Sequence, residues 1–264
     1  MKEKILSQII TECPWRDTLY WYDALDSTNT KAKELAKNGA PHGTTIIAGQ
    51  QTGGRGRMGR TFVSPTGGMY LSVILRPNCS PDAIMHLTCA AAVAACQAVE
   101  SVCGIQANIK WTNDLVFQKK KLGGILTELG FGNDGTVTYA VIGIGINCNQ
   151  KKDDFPAEIQ RIVTSVSEIT GTPCSPAMQA AACVEELYRM DAILLSEKNA
   201  IIDSYRRHCI TLGKEIQIIS GEDCRYGKAL SVNENGGLLV AFADGTIQTV
   251  TSGEVSVRGM YGYL

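Results

Sequence analysis

From residue 107 to residue 146 the chain reads as strand-like runs in series, and only afterwards as helices. Residues 107–111, 115–118, 124–129 and 136–146 are the strand-like runs. A lysine-rich turn joins the second to the third, and Gly132-Asn133-Asp134-Gly135 precedes the fourth. Helical runs follow at roughly 156–169 and 176–208. Strands grouped ahead of helices favour an α+β domain over a doubly wound parallel sheet, in which the two alternate.

The flanking regions complete the outline. Asp26, Ser27 and Thr28 offer capping side chains to a helix over 29–37, which Asn38-Gly39 ends. Residues 44–48 and 68–75 read as strands, the second stopped by Pro77, and Pro81-Asp82 opens a long Ala-rich helix to about residue 102. Composition changes after His208. From Gly213 onward short β-like runs alternate with turns such as 233–237 and 243–245, a pattern of about four or five strands in a small barrel of about 50 residues. The expected division is 1–212 and 213–264.

Composition then narrows the function. The 264 residues carry 25 Lys and Arg against 26 Asp and Glu, a net charge of −1, which gives no global support to binding a nucleic-acid backbone. The N-terminus has no signal-peptide core, and the most apolar run, 87–96, falls short of the ~20 residues a membrane helix needs. The ten cysteines form no CxxC pair, and Cys89, Cys96 and Cys103 recur at helical spacing as small hydrophobes. Both features suit a reducing, cytoplasmic setting. His42, His86 and His208 are scattered, with no HExxH and no Cys/His cluster, so no metal site is expected.

The segment Gly53-Gly54-Arg55-Gly56-Arg57-Met58-Gly59-Arg60 carries the most chemistry. Residues 54–59 match GxGxxG and 54–61 nearly match a P-loop, but both motifs need a helix straight after, and here Ser64-Pro65 and a strand follow. An RGG-like nucleic-acid segment would need interleaved aromatics that this loop lacks. What remains is a backbone free to pass close to a ligand, with planar cations at Arg55, Arg57 and Arg60 suited to phosphate or carboxylate. Such a loop can order over an anion and seal it from water.

A second polar cluster, Lys110-Trp111-Thr112-Asn113-Asp114, ends the strand at 107–111, and a hairpin would carry Lys121 back toward Asp114. A lysine there neutralises an entering anion, and a carboxylate nearby can orient or deprotonate an attacking amine. Gly123-Gly124 argues for close approach of backbone to a ligand at Lys121. In Gly143-Ile144-Gly145-Ile146-Asn147 the glycines share one strand face, which leaves space for a flat ligand or another backbone.

Together with Asp26-Ser27-Thr28-Asn29 and Gln51, these segments resemble in order and spacing those of biotin protein ligases, over residues 26–147. The resemblance implies a class II synthetase-like, SH2-like catalytic domain with a mixed sheet, followed by a small C-terminal SH3-like β-barrel. It implies an enzyme that turns biotin and ATP, with Mg2+, into biotinyl-5′-AMP and pyrophosphate. The adenylate then acylates one lysine of the biotin carboxyl carrier domain of a biotin-dependent carboxylase.

By the same resemblance Ser27, Thr28 and Gln51 bind the biotin head group, with Asn29 beside them. Gly54, Gly56 and Arg60 belong to the covering loop, and Lys110, Trp111, Asn113, Gly123, Gly124 and Asn147 line the site. Arg55, Arg57 and Lys121 offset the charge of carboxylate and phosphate, and Asp114 meets the incoming lysine. The chain departs from the family at Thr112, where proline is common, at Met58, where arginine is frequent, and at Phe62, where tryptophan is common. Some relatives act as repressors through an N-terminal winged helix. Only about 25 residues precede Ser27, so no DNA-binding function is expected, and with no targeting or membrane segment no membrane is expected as a partner either. Relatives can also form homodimers through the central domain.

Two other readings fit parts of the pattern. A lipoate or octanoate transferase shares the implied fold, but the arginine loop, residues 110–114 and the C-terminal barrel favour biotin. A non-catalytic sensor of biotin would keep Ser27, Thr28 and Gln51 but need neither Asp114 nor Lys121.

Overall fold

The computed structural model describes residues 1–220, 223–251 and 256–259. Seven strands form its main sheet: β1 Leu19–Tyr22, β2 Thr45–Ala48, β3 Met69–Leu75, β4 Asn108–Lys110, β5 Asp114–Phe117, β6 Lys120–Phe131 and β7 Val137–Ile146. Their order is β1-β2-β3-β7-β6-β5-β4. β1 and β2 run parallel and every other pair is antiparallel, so the sheet is mixed. β1 has no counterpart in the sequence reading.

Six α-helices accompany the sheet: α1 Lys2–Leu6, α2 Thr28–Lys37, α3 Leu87–Cys103, α4 Val166–Thr170, α5 Pro176–Ile193 and α6 Lys198–His208. The stretch 81–103 is apolar and long enough, by composition, to cross a membrane. Its apolarity serves the core, because α3 packs against α5 and α6 and against strands β4–β7. Its alanines and the thiols of Cys89 and Cys96 are buried there, and small side chains let helix and sheet approach closely. The helix expected from Pro81 begins only at Leu87; Pro81–Ile84 is a 3-10 turn. The break falls at His86, whose Nε2 lies 2.8 Å from the carbonyl of Leu194. Before Ser27, where no helix is expected, α1 and the following turn contribute buried Ile5, Ile9, Cys13 and Trp15.

The helix expected over 156–169 is largely absent, and only α4 is helical. The backbone of 162–164 is engaged elsewhere: Lys121 N donates to Ile162 O at 2.7 Å and Thr164 N to Lys121 O at 2.9 Å. A short parallel pairing with β6 thus takes up the groups that a helix would need. The expected helix over 176–208 is two helices, α5 and α6, separated at 194–197.

The C-terminal strands are β8 Glu215–Ser220, β9 Asp223–Val232, β10 Leu238–Phe242, β11 Ile247–Val250 and β12 Ser256–Gly259, in an antiparallel sheet of order β11-β10-β9-β8-β12. This sheet shares its apolar core with the larger layer: Ile216, Val232, Leu238 and Val240 belong to one cluster with α3. Polar contacts tie the two together. Trp111 Nε1 donates to Gly236 O at 2.9 Å, and Arg206 Nε to Val232 O at 2.8 Å. Of the segment 213–264, residues 221–222, 252–255 and 260–264 lie outside the described residues.

Candidate active site

Sheet register lays out the floor of a cleft of about 580 Å³. Gly143 on β7 stands opposite Leu126 on β6, and Gly145 stands opposite Gly124, which in turn faces Asp114 on β5. Residues two apart share a strand face, so these rows are about 7 Å apart along β7. The glycine face is not vacant. A Cβ at 143 would lie 2.0 Å from Asn29 Oδ1, and one at 145 would lie 2.5 Å from Phe62 Cε1. Asn29 and Phe62 occupy the space that alternation alone leaves bare.

At the Gly143 end buried neutral groups meet the carboxylate of Glu128. Ser27 adopts extended backbone and caps α2, its Oγ accepting from Thr30 N. This turn aims Thr28 and Asn29 inward. Gln51 Oε1 accepts from Thr28 N at 2.8 Å and from Thr28 Oγ1 at 3.1 Å, while Gln51 Nε2 donates to Ser64 Oγ at 2.8 Å. Ser72 Oγ lies 2.8 Å from Thr28 Oγ1 and 2.7 Å from Asn29 Oδ1. Asn29 Nδ2 donates to Glu128 Oε2 at 2.9 Å. Burial pushes the Glu128 carboxyl up, but Lys33, Asn29 and Arg55 together outweigh it and hold the group below its ordinary range.

At the Gly145 end the groups are charged. The tight β5–β6 hairpin brings Lys121 Nζ to 2.6 Å from Asp114 Oδ1, and Lys121 Nζ also stands 5.7 Å from the Phe62 ring centroid. Arg57 Nη1 donates to Asn113 Oδ1 at 3.0 Å; Asn113 Nδ2 in turn donates to Ile125 O at 2.8 Å. Burial lowers the Arg57 pKa, partly offset by Asp114, yet a guanidinium stays protonated in proteins. Arg55 Nη2 lies 3.7 Å from Glu128 Oε1. The loop between them is a small hairpin, with Gly56 N donating to Arg60 O at 2.7 Å and Phe62 N to Gly54 O at 2.9 Å. Its tip, Arg57–Gly59, is a 3-10 turn with Met58 at φ 55°, not the start of a helix.

The cleft gathers most residues singled out from the sequence: Ser27, Thr28, Asn29, Gln51, Arg55, Gly56, Arg57, Arg60, Lys110, Trp111, Asn113, Asp114, Lys121 and Gly124 all line it. Gly54, Gly123 and Asn147 do not. A Cβ on Gly54 would lie 2.2 Å from Phe62 O, so this glycine serves the loop's own closure. A Cβ on Gly123 would lie 2.4 Å from Gly145 O, so its close approach is to a neighbouring strand, not to a ligand. Asn147 is buried behind the floor, its Nδ2 donating to Thr164 O at 2.9 Å.

The reading of the sequence missed Ser64, Ser72 and Glu128, and the apolar lining from Leu71, Leu126, Ile144 and Ile162. Ser72 had a signal, being the one aliphatic hydroxyl inside the apolar run of β3. Among the described residues no group of three or more His, Cys, Asp or Glu could hold a metal ion.

The cleft therefore joins a neutral hydrogen-bonding recess to a half-covered cluster of cations beside one carboxylate, an arrangement suited to a ligand with a polar neutral head and an anionic tail. Known proteins place it. The model of the biotin/lipoate A/B protein ligase family matches residues 21–147, and that of the biotin protein ligase C-terminal domain matches 211–258. The bifunctional ligase/repressor BirA of Bacillus subtilis is 37% identical over 243 residues, covering 90% of this chain and 74% of that protein. The chain belongs to the biotin protein ligase family. A biotin protein ligase from Aquifex aeolicus, solved in complex with biotin and ATP, superposes with a TM-score of 0.78 at 30% identity, covering 92% of this chain and 99% of that one. The biotin–[acetyl-CoA-carboxylase] ligase of Mycobacterium tuberculosis is 28% identical over 239 residues, covering 87% of this chain and 85% of its own. The biotin protein ligase fold accounts for both sheets of this chain.

Proposed function

We propose that this chain is an ATP-dependent ligase that activates biotin as biotinyl-5′-AMP and transfers it to one lysine of a biotin carboxyl carrier domain. The observation that carries this reading is the shared cleft, in which the Thr28–Gln51 recess and the Lys121–Asp114 pair lie along one strand face. The solved relative bound to biotin and ATP supports this substrate pair over lipoate.

In the first step a biotin carboxylate oxygen attacks the α-phosphorus of ATP, the bond to the β-phosphate breaks, and pyrophosphate leaves. Two anions must approach, so fixed cations lower the barrier by offsetting their repulsion. Lys121, Arg57 and Arg55 are assigned this work; magnesium, if it takes part, would add positive charge at the phosphates. In the second step a carrier lysine attacks the acyl carbon and AMP leaves. The amine must be deprotonated to react, and Asp114 is assigned to orient it and take its proton. The loop over the cleft keeps water from the mixed anhydride in the interval.

The remaining parts of this reading are a catalytic unit over 1–212, an SH3-like unit over 213–264 and a cytoplasmic location. The ten free cysteines are consistent with that location. A homodimer is not required by the chemistry, because every group named lies on one chain. Calorimetric titration with biotin and with lipoate, each with and without a non-hydrolysable ATP analogue and magnesium, tests the substrate class. Biotin binding without a lipoate response is expected; lipoate binding alone would contradict it.

A further inference from the structure

Within the turn from β4 into β5, Lys110, Trp111, Asn113 and Asp114 line the cleft and Thr112 does not. Lys110 pairs with Asp114 across this turn, so it is tight. The turn is held from behind by α6 and the residues just after it, none of which lines the cleft. Trp111 N donates to Thr211 Oγ1 at 2.9 Å, and Tyr205 Oη donates to Thr112 O at 2.9 Å. Ile210 N adds a bond to Ile109 O at 3.0 Å, just ahead of the turn. Tyr205 and Thr211 are both buried. Burial pushes the Tyr205 hydroxyl well above its ordinary range, so it keeps the proton it donates. Thr112 Oγ1 is buried and has no hydrogen-bond partner, so Thr112 is fixed by its carbonyl and not by its side chain. A tyrosine and a threonine that served packing alone would need no common target. These two hydroxyls converge on one four-bond turn that carries two of the charged end's side chains.

We propose that Tyr205 and Thr211 are positioning residues for the acyl-transfer end of the cleft. They pin the peptide units before Trp111 and after Thr112. The next two side chains are Asn113, which accepts from Arg57, and Asp114, which meets Lys121. Neither hydroxyl touches substrate; each acts through the backbone it holds. A shift of about 1 Å in such a support costs up to about 10²-fold in rate. The head-group recess hangs from α2 and β3 and does not share this support. Loss of either hydroxyl therefore reaches transfer and spares biotin binding. The assignment rests on the biotin-transfer reading for its reaction, but its second readout needs no substrate.

The test uses the full chain as wild type, Tyr205→Phe, Thr211→Val and Thr211→Ser. Phenylalanine and valine keep the buried shape and remove the hydroxyl; serine keeps the acceptor. Acylation of a carrier domain by supplied biotinyl-AMP gives the transfer rate. Calorimetric titration with biotin gives the affinity and the fraction of competent protein by which that rate is divided. Tyr205→Phe and Thr211→Val are each expected to transfer about tenfold more slowly, with biotin affinity within about twofold of wild type. Thr211→Ser is expected to match wild type. Transfer at the wild-type rate in either Tyr205→Phe or Thr211→Val would overturn the proposal. So would a loss of biotin affinity as large as the loss in transfer, which marks general loosening. Thr211→Ser as slow as Thr211→Val would overturn it too, by marking an effect of size. If Tyr205→Phe does not fold, the two Thr211 variants decide by the same outcomes. Amide hydrogen exchange in ligand-free protein is the second readout. Thr211→Val is expected to exchange faster over 110–115 with 27–31 as in wild type, and unchanged exchange over 110–115 would overturn the proposal. A wild type that transfers no biotin would count against the function and leave the exchange result to decide the positioning role.

Discussion

At one end of the cleft Ser27, Thr28, Asn29 and Ser72 are between 0% and 4% exposed, and Ser72 bonds Thr28 and Asn29 while Thr28 bonds Gln51. At the other end Asp114 and Lys121 carry side chains 20% and 25% exposed. The neutral end is closely organised, its Thr28, Asn29, Gln51 and Ser72 side chains oriented by α2, β3 and the Gln51–Ser64 contact. Such a recess selects by shape and by the cost of leaving a buried group unpaired. The charged end is held loosely, which keeps the desolvation cost of its ions small and lets them turn toward an incoming anion. The contrast teaches that one cleft can be rigid where it must choose and adaptable where charge must be met.

Variants at each end should separate these roles. The largest effect is expected from Lys121→Ala, which should slow biotinyl-AMP formation by about 10² to 10³ in single turnover while biotin affinity changes little. An unchanged adenylation rate would remove Lys121 from the chemistry. Next, Gln51→Ala takes from Thr28 N its acceptor and from Thr28 Oγ1 and Ser64 Oγ one partner each, Ser72 Oγ and Phe62 O remaining to them. It should weaken biotin binding and lower unfolding stability by about 1–3 kcal/mol each, read by calorimetry and denaturant titration. A stability loss without an affinity loss would make Gln51 purely structural. Arg57→Gly removes the bond to Asn113 that holds the loop tip. Loss of one hydrogen bond to a charged group, about 1.5 kcal/mol, predicts adenylate release roughly tenfold faster, measured by trapping the free intermediate.

The smallest effect concerns pH. The folded Glu128 carboxyl lies below its ordinary range, through Lys33, Asn29 and Arg55 prevailing over burial. Its stabilisation is therefore fully present above the unfolded value of about 4.3 and is lost as pH falls through the folded value. Unfolding midpoints taken from pH 5 downward should fall less steeply in Glu128→Gln than in wild type.

What could be read from the sequence follows the same divide between local and distant causes. Ser27 was legible as a cap because capping is decided within one turn. The approach of Lys121 to Asp114 was legible because a short hairpin fixes it. The occupants of the glycine face were not legible, since Asn29 and Phe62 reach Gly143 and Gly145 only through sheet order and register. The same holds for Gly123, whose neighbour is the carbonyl of Gly145 on another strand. Residues 156–163 carry a helix-like composition that loses to pairing with Lys121. Glu128 gave no local signal, because a single acid on a strand reads as a solvated face until Asn29, Lys33 and Arg55 are seen around it.

The most direct measurement follows the two half-reactions separately in wild type, Lys121→Ala and Asp114→Asn, with pyrophosphate release for the first and acylation of a carrier domain by supplied biotinyl-AMP for the second. Although Lys121 and Asp114 form one ion pair at 2.6 Å, their assigned tasks differ. Lys121→Ala should fail mainly in the first step, and Asp114→Asn should lose more in the second, where general-base help is worth about 10² or more. Equal losses in both steps for both variants would reduce the pair to structural support and contradict the division of the cleft.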